Sequence, residues 1–412
     1  MNTRLALRID PFDSIAFRDG RPFDQSDPGL VEGVEVFPPP PSAVAGAARV
    51  VLAACLGVDA DRSDWAGQVS EWRDTGDPNV VEKAELLEAV LSAQVAGPFL
   101  TTWHDAQDLA DEHIYLPAPA SCLLPKDKRN LPAGRLNAGI ESRRVRWSGS
   151  AQADSGAWLE VDIWDTDAVV EPAQGLWSPF GGNAGVWSYL TNTTQQVLTV
   201  SRPPGSSEMR VAIAIDKGSG RVNDGKLYAI SHRRLPNTSD EWGWRPPCFI
   251  TVVELPVAAE LALPAFGSIS AIVPFGGRGR FAKVTSLSVD WSASNLDEQS
   301  ASANGLNASA CAVLALSPLP VTAAPSKRVT SGRAPSRHGF AMPGVQGGSA
   351  TILAYPAGSL WIDDAPPRSG WGLQWLGGET AAQLGFGAVL VAPILPPATA
   401  KGRPAKKKGK RR

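Results

Sequence analysis

Four consecutive prolines, Pro38 to Pro41, constrain this 412-residue chain more than any other feature. Such a run is held in an extended polyproline conformation and lacks backbone donors, so it stiffens the approach to the next element. That element opens with Ser42-Ala43-Val44-Ala45-Gly46-Ala47-Ala48-Arg49. Val44, Ala48, Val51, Leu52 and Cys55 recur at helical spacing, which predicts a helix with one buried stripe and Arg49 turned away from it. Ser42 is the expected N-cap and Gly57 the expected left-handed stop. Upstream, Phe17-Arg18-Asp19-Gly20-Arg21-Pro22-Phe23 reads as a tight exposed turn. Gly20 permits positive φ, Pro22 fixes its own φ, and Arg18 and Arg21 suit the loop to an anion.

Length sets two or three domains, at roughly 100 to 200 residues each. Hydrophobic residues make up 43% and charged residues 19%, and 40 Gly with 35 Pro point to a loop-rich α/β or α+β protein. No stretch approaches the ~20 continuous apolar residues of a membrane helix, and the start of the chain reads as a strand, so a cytoplasmic protein with no membrane partner is expected. Cys55, Cys122, Cys248 and Cys311 are far apart and form no C-x-x-C pair. Reduced thiols are therefore expected, and neither a metal nor a cofactor is. Residues 401 to 412 hold eight Lys and Arg and no acid, so the net charge of −2 becomes −10 once they are set aside. A nucleic-acid site on such a body must be a local basic patch. Residues 396–412 are read as a disordered basic tail, either an RNA-attracting or a solubilising end.

Leu5, Leu7 and Ile9 alternate with Arg4, Ala6 and Arg8, the period of a half-buried strand, and open a ferredoxin-like domain assigned to residues 1–240. Asp59 to Gln94 reads as a peripheral acidic helical insertion, with Asp77 as cap, Pro78 as first helical residue, and Val80, Ala84, Leu87 and Leu91 as its stripe. Residues 115–157 and 171–207 read as loops, with a strand from Trp158 between them. Val211 to Ile215 and Lys226 to Ile230 form a hairpin. Phe249 to Leu255 is expected to open a second domain, 241–395, which carries a mobile loop from Ser292 to Ser309 and ends on a strand from Ala388.

The most specific candidate site is Phe275-Gly276-Gly277-Arg278-Gly279-Arg280-Phe281, which comes after a strand and precedes Lys283. Its glycines let backbone N–H groups approach a phosphate and its arginines supply planar donors. Neither a Walker loop nor a dinucleotide fingerprint fits the spacing. Arg143-Arg144-Val145-Arg146-Trp147 and the segment from Lys327 through Arg337 and His338 are further basic candidates, each also readable as a solvated loop. Catalytic signatures are missing: neither H-E-x-x-H nor G-x-S-x-G occurs. His232, beside Arg233 and Arg234, is the one histidine placed to act as a general base for RNA cleavage.

Taken in order, several of these landmarks resemble one family. They are Ile9-Asp10-Pro11-Phe12-Asp13 before the arginine box, the proline run, Val211 to Asp216 followed by Gly225-Lys226-Leu227-Tyr228, the Gly276 to Arg280 loop, Gly358-Ser359-Leu360-Trp361 and Gly385-Phe386-Gly387. The chain is similar to the third subunit of the Cmr complex, a RAMP protein of type III-B CRISPR effectors related to the Cas-five group. The resemblance implies an α+β fold of two ferredoxin-like (RRM-type) domains and no catalysis. It further implies a grip on the 5′ tag of the CRISPR RNA and contacts with the large Cas-ten-type subunit and the backbone RAMP subunits, with target RNA met through the complex. Arg18, Arg21, Arg278 and Arg280 are then the leading phosphate contacts, and Arg49 a secondary RNA or partner contact. Two other readings stay open, a RAMP-type endoribonuclease that processes repeat RNA and a purely structural subunit.

Overall fold

The computed structural model describes residues 2–17, 31–33, 35–58, 64–102, 114–125, 140–141, 145–148, 158–161, 170–172, 175–181, 185–191, 198–200, 204–215, 218–219, 221–235, 247–276, 279–287, 311–325, 329–330, 335–341, 349–363 and 371–393. Its principal elements are β1 (Thr3–Pro11), α1 (Pro41–Cys55), α2 (Trp65–Asp74), α3 (Pro78–Ser92), β2 (Gln94–Thr102), β3 (Ile114–Pro117) and β4 (Trp177–Pro179). Next come β5 (Ser206–Ile215), β6 (Val222–Arg234), β7 (Pro247–Leu255), α4 (Ala259–Phe266), β8 (Ser270–Pro274), β9 (Phe281–Ser286) and β10 (Cys311–Ala315). The last are β11 (Leu360–Asp363), β12 (Gly372–Trp375), α5 (Glu379–Gln383) and β13 (Ala388–Pro393). No described helix is long and apolar enough to cross a membrane.

A seven-stranded antiparallel sheet in the order β4-β3-β2-β7-β1-β9-β8 forms the framework. Its strand β7, the stretch expected to open a second domain, lies between β1 and β2, so this sheet crosses residue 240. Leu5, Leu7 and Ile9 of β1 and Phe249 and Val253 of β7 face α1, α3 and α4 in one core. Ala6, Ile250, Val252 and Phe99 face the other way, onto Leu314, Leu360 and Leu390 of a second sheet that contains β10 to β13. The fold is thus α+β, with both of these sheets antiparallel.

Helix α1 begins at Pro41, one residue before the expected cap. Pro40 occupies the cap position, no side chain caps it, and Pro41 stands at N1, where a missing N–H costs nothing. Val44, Ala48, Val51 and Leu52 are buried as the spacing predicts, each fully buried Val or Leu contributing about 1.5–3 kcal/mol. Cys55 departs from the stripe and is exposed, whereas the other three cysteines are buried. Gly57 takes φ +83° and ends the helix. Asp77 caps α3 by accepting from the Asn79 N–H, with Pro78 in the first turn. Helix α3 is not peripheral, since Leu87 and Val90 join the main core. Within the stretches read as loops, β3 and β4 prove to be sheet strands and Val186–Leu190 a short helix.

Candidate nucleic-acid interface

The glycine loop closes the β8–β9 hairpin and is pinned at its base by a Phe275 N–H to Arg280 C=O bond of 2.8 Å. Phe17, the last described residue before Arg18, lays its ring edge-on to Phe275 at 5.2 Å. Gly276 has φ +96°, and a Cβ there would stand 3.3 Å from the Ala16 carbonyl oxygen and 3.4 Å from the Phe17 ring. The positive φ favours glycine at this position, and a side chain would in addition press the Ala16 carbonyl back by a few tenths of an ångström. The flank of the arginine box and the glycine loop, some 260 residues apart in sequence, are in contact. Val36 returns to pair its N–H with the Phe17 C=O at 2.8 Å.

The foot of β6 completes the corner. Ile15 and Arg233 exchange backbone hydrogen bonds of 2.8 and 2.9 Å, which sets Arg234 beside Asp13 at 4.0 Å. Asp13 also accepts from Arg280 of the glycine loop. The Ser14 backbone N–H, followed by Arg280, holds the Asp13 carboxyl below the usual range. Glu208 on β5 pairs with Arg210 at 3.1 Å and lies 3.6 Å from Arg234. The Arg210 bond holds the Glu208 carboxyl down in turn. Arg233 turns inward, pairing with Glu35 and standing 4.7 Å over the Phe37 ring. The corner thus gathers Arg210, Arg233, Arg234 and Arg280, with Asp13, Glu35 and Glu208 as internal counter-ions. Phe12, on the same segment as Asp13, and Phe281 are solvent-exposed aromatics at its rim.

The candidates read from sequence fall into groups. Arg280, Gly276 and Gly279 belong to the corner, and Lys283 lies exposed two residues beyond the loop, on β9 opposite Asp10. Arg18, Arg21, Gly277, Arg278, Arg143 and Arg144 lie outside the described residues, as does the Ser292 to Ser309 stretch. Arg146 is on the strand Val145–Ser148, in register with Glu160. Arg337 and His338 sit elsewhere, on the strand Ser336–Ala341, in register with Leu353 and Ile352. His338 packs edge-on to Phe386 at 5.7 Å, and burial lowers its pKa.

Arg49 is a different kind of residue from the one the sequence suggested. Its guanidinium is committed to three main-chain carbonyls, Val90 at 3.3 Å, Ala93 at 2.7 Å and Gln383 at 2.5 Å. Burial pulls its pKa down to about 10, so it remains a cation near neutrality. His232 is 1% exposed, with Nδ1 3.3 Å from the Ser14 hydroxyl. Among the described residues no group of three or more His, Cys, Asp and Glu could hold a metal ion. Sequence reasoning missed Asp13, Glu35, Arg210 and Glu208: Glu208 and Arg210 lie on β5, Asp13 and Glu35 lie outside the strands named above, and no local pattern marks any of the four.

The family model described as CRISPR-associated protein (Cas_Cmr3) matches residues 7–339. The chain belongs to the Cmr3 family. Membership accords with the order of landmarks in the sequence, and the matched span takes in both the proline run and the glycine loop of this Cmr3-family protein. Two solved chains are similar at 13% and 14% identity, each covering 86% of this chain and 85% of its own length with a TM-score of 0.35. They come from cryo-EM structures of type III-B Cmr-beta bound to cognate target RNA, the first with AMPPnP as well. No curated protein matches the chain.

Proposed function

We propose that this Cmr3-family protein is a non-catalytic RNA-binding subunit of a type III-B CRISPR effector, and that it holds the 5′ tag of the CRISPR RNA at the Phe17–Gly276 corner. It bridges that RNA to the large Cas-ten-type subunit and the backbone RAMP subunits. The observation that carries this reading is the contact of the arginine-box flank with the glycine loop, where Arg234 and Arg280 also converge. Cations held at a fixed corner next to glycine backbone suit phosphates, and the exposed Phe12 and Phe281 rings suit unstacked bases. The sheet order β2-β7-β1-β9 with α1 and α4 on one face supports a ferredoxin-like core beneath the corner. Burial of His232 favours this reading over a nuclease that would use it as a base.

Binding of tag-bearing RNA against a scrambled sequence, measured across salt concentrations, tests the proposal. Arg278→Ala and Arg280→Ala are each expected to weaken binding and to lower the salt slope by about 1 for every phosphate no longer neutralised. Equal affinity for the scrambled RNA, or unchanged slopes in both variants, would overturn it.

A further inference from the structure

Two polar side chains lie buried where the corner is tied to β6. Ser14 and His232 are each 1% exposed, and the imidazole Nδ1 stands 3.3 Å from the Ser14 hydroxyl. The antiparallel bridge between Ile15 and Arg233 sets Ser14 opposite Arg234 and diagonal to His232, within reach across one face. Burying a hydroxyl and an imidazole is unfavourable unless each meets a polar partner, a penalty that an apolar pair filling the same space would not carry. What the polar pair adds is a single defined arrangement of the two segments that it joins.

One of those segments carries the counter-ion of the corner. The Ser14 N–H donates to the Asp13 carboxylate, which accepts from Arg280 and lies 4.0 Å from Arg234. The Asp13 and Arg234 side chains are 44% and 55% exposed, so water offers each of them other conformations and the order has to come from the backbone beneath. Glu208 stands in register with His232 on β5, and Arg234 shares the His232 face of β6. The opposite face is tied separately, since Arg233 pairs with Glu35 and the Ser231 hydroxyl donates to Glu35 at 3.4 Å. Arg280 reaches Asp13 through Nη1, and a guanidinium has more N–H donors than one carboxylate oxygen uses. Asp13 therefore aims the cation without exhausting its donors. We infer that His232 is a positioning residue: through the Ser14 hydroxyl it fixes the Asp13 segment, and through Asp13 the direction of Arg234 and Arg280. The use of those cations on RNA rests on the function proposed above, whereas the tie itself does not.

The test uses the full chain with Ser14→Ala, His232→Leu, His232→Asn and the double variant Ser14→Ala/His232→Leu, each checked by urea unfolding so that folded proteins are compared. Affinity for tag-bearing RNA is measured across salt concentrations. Ser14→Ala and His232→Leu are each expected to weaken it about threefold to tenfold, the worth of one hydrogen bond. Their salt slope should remain that of the parent, because no phosphate contact is removed. The double variant should be no weaker than either single one, and His232→Asn, whose amide can take the place of Nδ1, should recover most of the affinity. Hydrogen exchange of residues 12–17 gives a reading independent of RNA, and it should quicken in Ser14→Ala and His232→Leu but not in His232→Asn. If His232→Leu does not fold, Ser14→Ala carries both readings. Parent-like exchange in these variants, or parent-like affinity where the parent binds RNA, would overturn the inference. Additive losses in the double variant would overturn it too, as would a lower salt slope in His232→Leu, the mark of a direct phosphate contact. Faster exchange in the variants with no RNA binding by the parent would uphold the tie and count against the RNA reading alone.

Discussion

Arg49 shows how one side chain can be misjudged from periodicity and still be decisive. It does point off the core stripe of α1, but toward the carbonyl-rich ends of α3 and α5 rather than toward solvent. A cation suits helix C-termini, where unpaired carbonyls carry partial negative charge. Arg49→Ala would leave those carbonyls without a donor, and a loss of about 2–4 kcal/mol in urea unfolding is expected, with RNA affinity retained. A stable variant that loses RNA would return Arg49 to the binding surface. Asp13 makes a prediction in pH. Its carboxyl is held below the ordinary value of 3.8, so it takes up a proton less readily in the folded chain than in the unfolded one. Its contribution is complete above that ordinary value and is lost as pH falls through the depressed one. Asp13→Asn should flatten the acid limb of the stability profile below roughly pH 4, and an unaltered limb would show that the pairing adds nothing.

At the scale of elements, legibility depended on the range of the interactions. Helices α1 and α3 were visible because proline, the cap at Asp77 and the apolar stripe are local signals. Only the position of the α1 cap moved, since a proline at N1 needs no side-chain partner. Strands β3 and β4 were not visible, because a strand of three or four residues in a sheet buried on both faces shows no alternation. The placement of β7 beside β1 was hidden for another reason: order along a chain does not specify strand neighbours. The glycine loop itself was legible by composition, but its contact with Phe17 was not. That contact makes a prediction at this scale. Gly276→Ala should cost about 1–2 kcal/mol for the positive φ alone and should loosen RNA binding, because the Ala16 carbonyl must give by a few tenths of an ångström against the Phe17 ring. A neutral substitution with full affinity would mean that the loop and the box flank need not stay in register.

For the whole molecule, the two faces of the main sheet carry different duties. One face packs the helices around a core that fixes β1 and α1, and the other seats the second sheet, so that the corner at the foot of β6 rests on structure from both ends of the chain. The cations there come from separated segments of the chain, which is why an acidic body can still present a local basic site. The family was readable from landmarks spread along the sequence, whereas the counter-ions that orient each arginine emerged only with the pairing of strands. Photo-crosslinking of tag RNA carrying 4-thiouridine, with adducts mapped by mass spectrometry, tests the central claim most directly. Adducts are expected within residues 12–21, 231–235 and 275–283; adducts confined to residues 143–147, 336–341 or 401–412 would contradict it.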